Sequence, residues 1–206
     1  MARTRTRSAR APRGRKPSGT GYPGHIRIIG GRWRSRRLPV PAGPGLRPTP
    51  DRVRETLFNW LAPWIEGARC VDLFAGTGAL CLEALSRGAA EVVMVERNPD
   101  ARRELEANVA RLGAAGARVV GLDALEFLAG RARPFDIVFL DPPFAQAETM
   151  IRACSERLAH GWLGPGALVY VEAPRGFGPL PVPEAWERFR AGAAGQVGYH
   201  LLRAPG

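Results

Sequence analysis

The order of apolar and polar positions divides the 206-residue chain into three unequal parts. Residues 1–24 are mostly Arg, Pro, Gly, Ser and Thr with almost nothing apolar, a composition that cannot bury a core. A disordered basic arm is expected there. Residues 25–48 hold two β-prone runs, His25-Ile26-Arg27-Ile28-Ile29 and Arg32-Trp33-Arg34-Ser35-Arg36-Arg37-Leu38, around Gly30-Gly31. This pattern predicts a hairpin whose second strand puts Trp33 within reach of several arginines. A Pro- and Gly-rich linker over 39–48 follows.

The third part, 49–206, predicts one compact domain. Thr49 reads as a capping hydroxyl, Pro50 as the first helical residue and Asp51 as an acid in the first turn. Val53, Leu57 and Leu61 recur at helical spacing beside Phe58, Trp60 and Trp64, and Pro63 ends the helix. The pattern then alternates. Strands are predicted at Arg69–Leu73, Glu91–Val95, Arg118–Leu122, Asp136–Leu140 and Ala167–Val171. Between them lie helices at Ala79–Arg87, Pro99–Leu112, a short one reaching Ala129, and Glu148–Ala159. Unbroken Val/Ile/Leu runs fit strands buried on both faces. Phe189–Ala193 and Gly198–Leu202 read as a closing hairpin. The expected fold class is α/β: a Rossmann-like, doubly wound, seven-stranded sheet, mostly parallel, with an antiparallel C-terminal hairpin and a small N-terminal β-hairpin.

Charge adds a direction. The formal net charge is +11, yet residues 1–50 hold 13 Lys+Arg and no acid, leaving 17 basic against 19 acidic residues in the rest. Such asymmetry points to a polyanion, with phosphate contact and base stacking assigned to the Arg- and Trp-bearing hairpin. No acidic residue near the hairpin in sequence neutralises it. Cys70, Cys81 and Cys154 lack metal or disulfide spacing, so they read as packing residues of a protein in a reducing cytoplasm. No metal, membrane span or secretory signal is expected. His25, His160 and His200 are isolated and no nucleophile set is apparent.

Two runs carry the candidate chemistry. Asp72-Leu73-Phe74-Ala75-Gly76-Thr77-Gly78 follows the first parallel strand and opens a helix, which lets backbone approach a ligand closely. Glu96 and Asp123 end the next two strands, where carboxylates can meet ribose hydroxyls and an adenine amine. Acids at three successive strand ends repel a pyrophosphate but suit S-adenosyl-L-methionine, which carries positive charge. The second run, Asp141-Pro142-Pro143-Phe144, follows the fourth strand. Its prolines remove two N–H donors, leaving only acceptors for an exocyclic amine and an aromatic ring to stack on the base. Methyl transfer to a nucleic-acid amine is the reading these residues support.

The chain also resembles a known family. Arg27-Ile28-Ile29-Gly30-Gly31, Leu46-Arg47-Pro48-Thr49, Asp51-Arg52-Val53-Arg54-Glu55-Thr56-Leu57-Phe58-Asn59-Trp60-Leu61 and Gly195-Gln196-Val197 resemble the bacterial RsmD-type enzymes. These are 16S rRNA guanine-N2 methyltransferases acting at guanine 966. The resemblance covers about residues 25–203 and leaves the arm outside. Pro50 departs from it, standing where a second threonine is expected. It implies that Asp72, Phe74, Ala75, Gly76, Thr77, Gly78, Glu96, Arg97, Asp123 and Ala124 bind the cofactor. Asp141, Pro142, Pro143 and Phe144 would hold the guanine amine. Arg27, Arg32, Trp33, Arg34, Arg36, Arg37 and Arg47 would contact RNA, either free 16S rRNA or a small-subunit assembly intermediate, with the enzyme a monomer. A DNA adenine-N6 methyltransferase, a protein glutamine methyltransferase, which usually shows Asn in place of Asp141, and a non-catalytic RNA-binding assembly factor are the alternatives.

Overall fold

A computed structural model describes residues 24–40 and 49–206. The arm up to residue 23 and most of the expected linker, including Arg47, lie outside the described residues. The elements are β1 Gly24–Arg27, β2 Arg37–Val40, α1 Asp51–Leu61, β3 Arg69–Asp72, α2 Ala79–Ser86, β4 Glu91–Val95, α3 Pro99–Leu112, β5 Ala117–Val120, α4 Ala124–Leu128, β6 Phe135–Leu140, α5 Ala147–Leu158, β7 Leu163–Pro174, β8 Glu187–Ala194 and β9 Val197–Arg203. Two short 3-10 turns, Gly31–Trp33 and Phe144–Gln146, precede β2 and α5.

Seven strands form one sheet in the order β5-β4-β3-β6-β7-β9-β8, while β1 and β2 pair separately. The β5-to-β7 set is parallel, and β9 and β8 are antiparallel. This is the doubly wound sheet with an edge hairpin that the alternating pattern predicts. Successive strand residues point to opposite faces, so Cys70, Val92, Ile137 and Leu168 join one core layer and Val71, Val93, Val138 and Val169 the other. The first layer packs under α1, α2, α3 and the N-terminal hairpin; the second packs under α4 and α5.

The N-terminal hairpin departs from expectation. Its strands are Gly24–Arg27 and Arg37–Val40, and Trp33 sits in the 3-10 turn between them, half-buried against the core. The second strand therefore begins later than the apolar pattern implies. The cause lies in α2. Glu83 takes the N–H groups of Ile29 (2.7 Å) and Gly30 (2.8 Å), and Ser86 Oγ accepts from Trp33 N–H (3.0 Å) while donating to the Gly30 carbonyl (2.6 Å). Backbone groups held by side chains are lost to a ladder. Gly31 adopts φ +72°, and a Cβ there would collide with the Ser86 carbonyl.

Every residue of α2 is buried, Glu83 included. A buried carboxylate needs partners. Besides the two N–H groups, Arg87 Nε lies at 2.7 Å and Arg54 Nη1 at 3.5 Å. Arg54 is itself 1% exposed and donates to the Arg27 and Thr49 carbonyls and to Asp51. One knot thus joins α1, α2 and the hairpin.

The start of α1 also differs from the sequence reading. Pro50, not Thr49, occupies the cap position, and no side chain caps the helix. The Thr49 hydroxyl turns instead to Glu172 on β7.

Replacing Glu83 by Ala should lower unfolding stability by about 3–5 kcal/mol, because it strips the Ile29 and Gly30 N–H groups and Arg87 of their shared acceptor and leaves buried Arg54 with the Asp51 carboxylate alone. Denaturant midpoints measure this, and a loss below about 1 kcal/mol, the range of a surface pair, would rule out the knot as an anchor.

Candidate active site

The candidate residues gather at the carboxyl ends of the parallel strands. Asp72 closes β3 and is buried. Its Oδ1 accepts from Phe74 N–H (3.0 Å) and its Oδ2 from the Cys81 thiol (3.4 Å). Burial pushes its carboxyl up from the ordinary 3.8 to about 7, with Glu96 and Glu172 raising it further and the Phe74 and Cys81 bonds opposing. The turn that follows runs to Gly78, which caps α2 at φ +75°. A Cβ at Gly78 would sit 2.5 Å from Leu105 Cδ2 on α3 and push that side chain aside, but it is the left-handed backbone that favours glycine here.

Glu96 lies just after β4 and holds this turn. Its Oε2 accepts from Gly76 N–H at 2.9 Å and its Oε1 from Asn98 N–H at 2.7 Å. The neighbouring Ala75 N–H donates to the Val95 carbonyl at 3.0 Å. Phe74 is half-buried, Ala75 and Thr77 are buried, and Arg97 is exposed. Asp123 needs correcting: it does not end β5, which stops at Val120, but caps α4. One of its oxygens accepts from Leu125 and Glu126 N–H, and Glu126 returns a bond to Asp123 N–H. This is a capping box that engages only Oδ1. Ala124 is buried as the first residue of α4.

The second run behaves as a set of acceptors. Asp141 follows β6, and among the described residues neither its carboxylate nor the Pro142 carbonyl receives a hydrogen bond. The Pro143 carbonyl is engaged by Gln146 N–H at 2.8 Å. Phe144 is 44% exposed, an unusual position for a large aromatic side chain. Burial pushes the Asp141 carboxyl well up, and Glu172 and Asp72 add to it.

Glu172 is a site residue that the sequence reading missed. It follows the apolar run of β7 as Asp72 follows that of β3, so an acid closing a buried strand was the signal available. Its Oε1 accepts from Thr49 Oγ1 (3.0 Å) and Tyr170 OH (2.8 Å). No ion pair reaches Asp72, Asp141 or Glu172 among the described residues. A cavity of about 230 Å³ lies elsewhere, lined by residues such as Arg69, Arg118, Arg131 and Trp162, and touches none of these acids. Unpaired acceptors mark the site better than volume does.

The basic hairpin is arranged differently from its sequence reading. Arg27 is not unopposed, since Asp51 pairs with it at 3.0 Å. Both groups are about half exposed, so the pair is weak. The Arg32 guanidinium lies 3.9 Å from the Trp33 ring centre, a cation–π contact. Arg36 donates to the Arg111 carbonyl at 3.3 Å, and Arg34 and Arg37 are exposed. Asp51 and Thr49, two residues apart, therefore join Arg27 of the hairpin to Glu172 beside Asp141.

The raised Asp72 carboxyl sets a pH dependence for the free protein. Between about pH 4 and 7 the folded chain holds a proton that the unfolded chain has released, so stability falls as pH rises through that window. Melting temperatures of Asp72→Asn should show a flatter fall over this range than those of the wild type. Parallel curves would contradict the assignment.

Known proteins resemble this chain over most of its length. The profile of a family described as "Conserved hypothetical protein 95" matches residues 26–203. The protein named ribosomal RNA small subunit methyltransferase D from Escherichia coli (strain K12) is 51% identical over 191 residues, covering 92% of this chain and 94% of its own length. The protein of the same name from Haemophilus influenzae is 44% identical, covering 87% of this chain and 94% of its own. The solved structure of yhhF from Escherichia coli superposes with a TM-score of 0.82 at 48% identity, covering 88% of this chain and 99% of that one. With nearly the whole described chain matched and the strand-end acids in place, this protein belongs to the conserved hypothetical protein 95 family, the family of the ribosomal RNA small subunit methyltransferase D proteins.

Proposed function

We propose that this chain transfers a methyl group from S-adenosyl-L-methionine to the exocyclic N2 of a guanine in 16S rRNA, at a site of the guanine-966 type. Methylation of small-subunit rRNA is what its relatives are named for. The guanine, its N2 atom and the nucleotide rest on the family resemblance. The observation that carries the reading is the pair of unsatisfied acceptors, Asp141 and the Pro142 carbonyl, beside the exposed Phe144 ring.

The residues present fit the cofactor. Three buried or shielded carboxylates without an ion pair suit a ligand bearing an ammonium and a sulfonium. The Gly76–Gly78 turn would lie against it, Glu96 would accept from the ribose hydroxyls, and the unengaged oxygen of Asp123 would meet the adenine edge. When bound, the cofactor supplies an electrophilic methyl carbon. The protein's part is to aim the nucleophile. Asp141 and the Pro142 carbonyl would accept the two amine hydrogens, and Phe144 would stack on the base. That geometry directs the nitrogen lone pair at the methyl carbon, and Asp141 accepts the proton the methylated amine sheds. Positioning supplies most of the acceleration.

RNA recognition is assigned to Arg27, Arg32, Trp33, Arg34, Arg36 and Arg37, with Arg47 and the basic arm as further contacts. Phosphate contacts fix the register, and the hairpin's link through α1 to Glu172 carries that register to the clamp.

Asp141→Ala should reduce methyl transfer to small-subunit rRNA by about a hundredfold or more while cofactor affinity by calorimetry stays within a few-fold. Near-normal turnover would remove Asp141 from the clamp. Deleting residues 1–24 should weaken rRNA binding and flatten its dependence on salt; an unchanged salt slope would leave the arm without an RNA role.

A further inference from the structure

Asp141 and Glu172 stand side by side. β6 and β7 pair with Leu140 opposite Val171, so these two acids are the next residues on neighbouring strands. Two positions earlier come Phe139 and Tyr170, which share the core layer under α1. By the two-residue period of a strand, both carboxylates face that side. Asp72 lies one row below, opposite Phe139 on β3.

The two acids are not equivalent. Glu172 receives two hydroxyl donors on one oxygen, from Tyr170 and Thr49. Asp141 receives none among the described residues. Hydrogen bonds to a carboxylate favour its charged form, and adjacent carboxylates in a shielded site titrate as a pair. The negative charge therefore settles on Glu172 and the proton on Asp141. A protonated Asp141 is a poor clamp, because its O–H would point at the amine lone pair that has to attack.

We propose that Glu172 is a positioning residue for the transfer: it keeps the charge of the pair on itself, leaves the proton on Asp141 in the free enzyme, and lets Asp141 ionise only when the cationic cofactor arrives. This rests on the proposed function and deepens it. Burial raises both carboxyls. At Asp141 Glu172 and then Asp72 add to it, whereas at Glu172 the Tyr170 and Thr49 bonds oppose it. The groups that face the pair are Asp72 on β3, with Cys81 and Glu96 behind it, Tyr170 on β7 and Tyr199 on β9. All of them are neutral or acidic, so among the described residues no positive charge compensates the pair, and a cationic ligand would supply it.

Calorimetry of the full chain near neutral pH, in buffers of different ionisation enthalpy, counts the protons released on binding. S-adenosyl-L-methionine should displace a clear fraction of a proton from the wild type. S-adenosylhomocysteine, which lacks the sulfonium charge, should displace less. Glu172→Gln keeps an oxygen to accept from Thr49 and Tyr170 but removes the charge, so Asp141 holds its proton less tightly and the release should shrink. In the same variant the acid limb of methyl transfer should move down by about one pH unit. Asp141→Asn has no proton to give and provides an independent reading should Glu172→Gln not fold. Release equal to wild type in Glu172→Gln overturns the role of Glu172, and release equal to wild type in Asp141→Asn overturns the proposal by taking the proton from Asp141 and leaving Asp72 as its source. A wild type that binds no S-adenosyl-L-methionine overturns the proposed function as well; binding and transfer with unaltered release sink the role of Glu172 alone.

Discussion

Glu83 lies in the middle of a helix with no exposed residue, and its charge has to be met from whatever packs against that helix. Two backbone N–H groups of the hairpin loop, Arg87 and Arg54 meet it. The consequence is geometric. The hairpin cannot shift over α2 without stripping a buried carboxylate of its donors, and charge-assisted bonds of this kind are the strong ones. Arg54 carries the constraint onward to the Arg27 and Thr49 carbonyls. A polar knot inside an apolar layer thereby fixes where the basic hairpin sits relative to the sheet.

From there the path to the chemistry is short. Thr49 and Asp51 flank Pro50, one bonded to Glu172 beside the clamp and the other to Arg27 of the hairpin. The proposed phosphate contacts and the proposed base clamp would thereby share one rigid frame. The sheet supplies the other half of the frame. Parallel strands deliver Asp72, Asp141 and Glu172 to one edge and one face, and Glu96 stitches the glycine turn to the next strand. The same edge gathers negative charge that the described residues leave without ion pairs, which a cationic cofactor would satisfy.

Much of this was legible in the chain itself. The period-two and helical patterns located the sheet and its helices because buried parallel strands are continuous apolar runs. Asp72 and Asp141 were legible because an acid after such a run is costly unless it has a purpose. Glu172 met the same criterion, with Gly176 and Gly178 following it at the spacing of Gly76 and Gly78 after Asp72, and was missed because the apolar run was read as ending the sheet's parallel set at Val171. Asp123 was read as a strand end because the apolar residue Leu122, 40% exposed in the fold, extends the pattern past the end of the strand at Val120. The hairpin's loop and the orientation of Thr49 were not legible at all. Each depends on a side chain far away in sequence, Glu83 and Ser86 for the loop and Glu172 for Thr49, and local propensity has no access to such partners.

The central claim is that this site methylates a guanine amine of small-subunit rRNA. Its most direct test incubates the full chain with tritiated S-adenosyl-L-methionine and small ribosomal subunits from a strain that lacks the modification, followed by digestion to nucleosides. The account predicts label in N2-methylguanosine at a single 16S position. Label in adenine, in DNA or in protein, or none in rRNA, would contradict it.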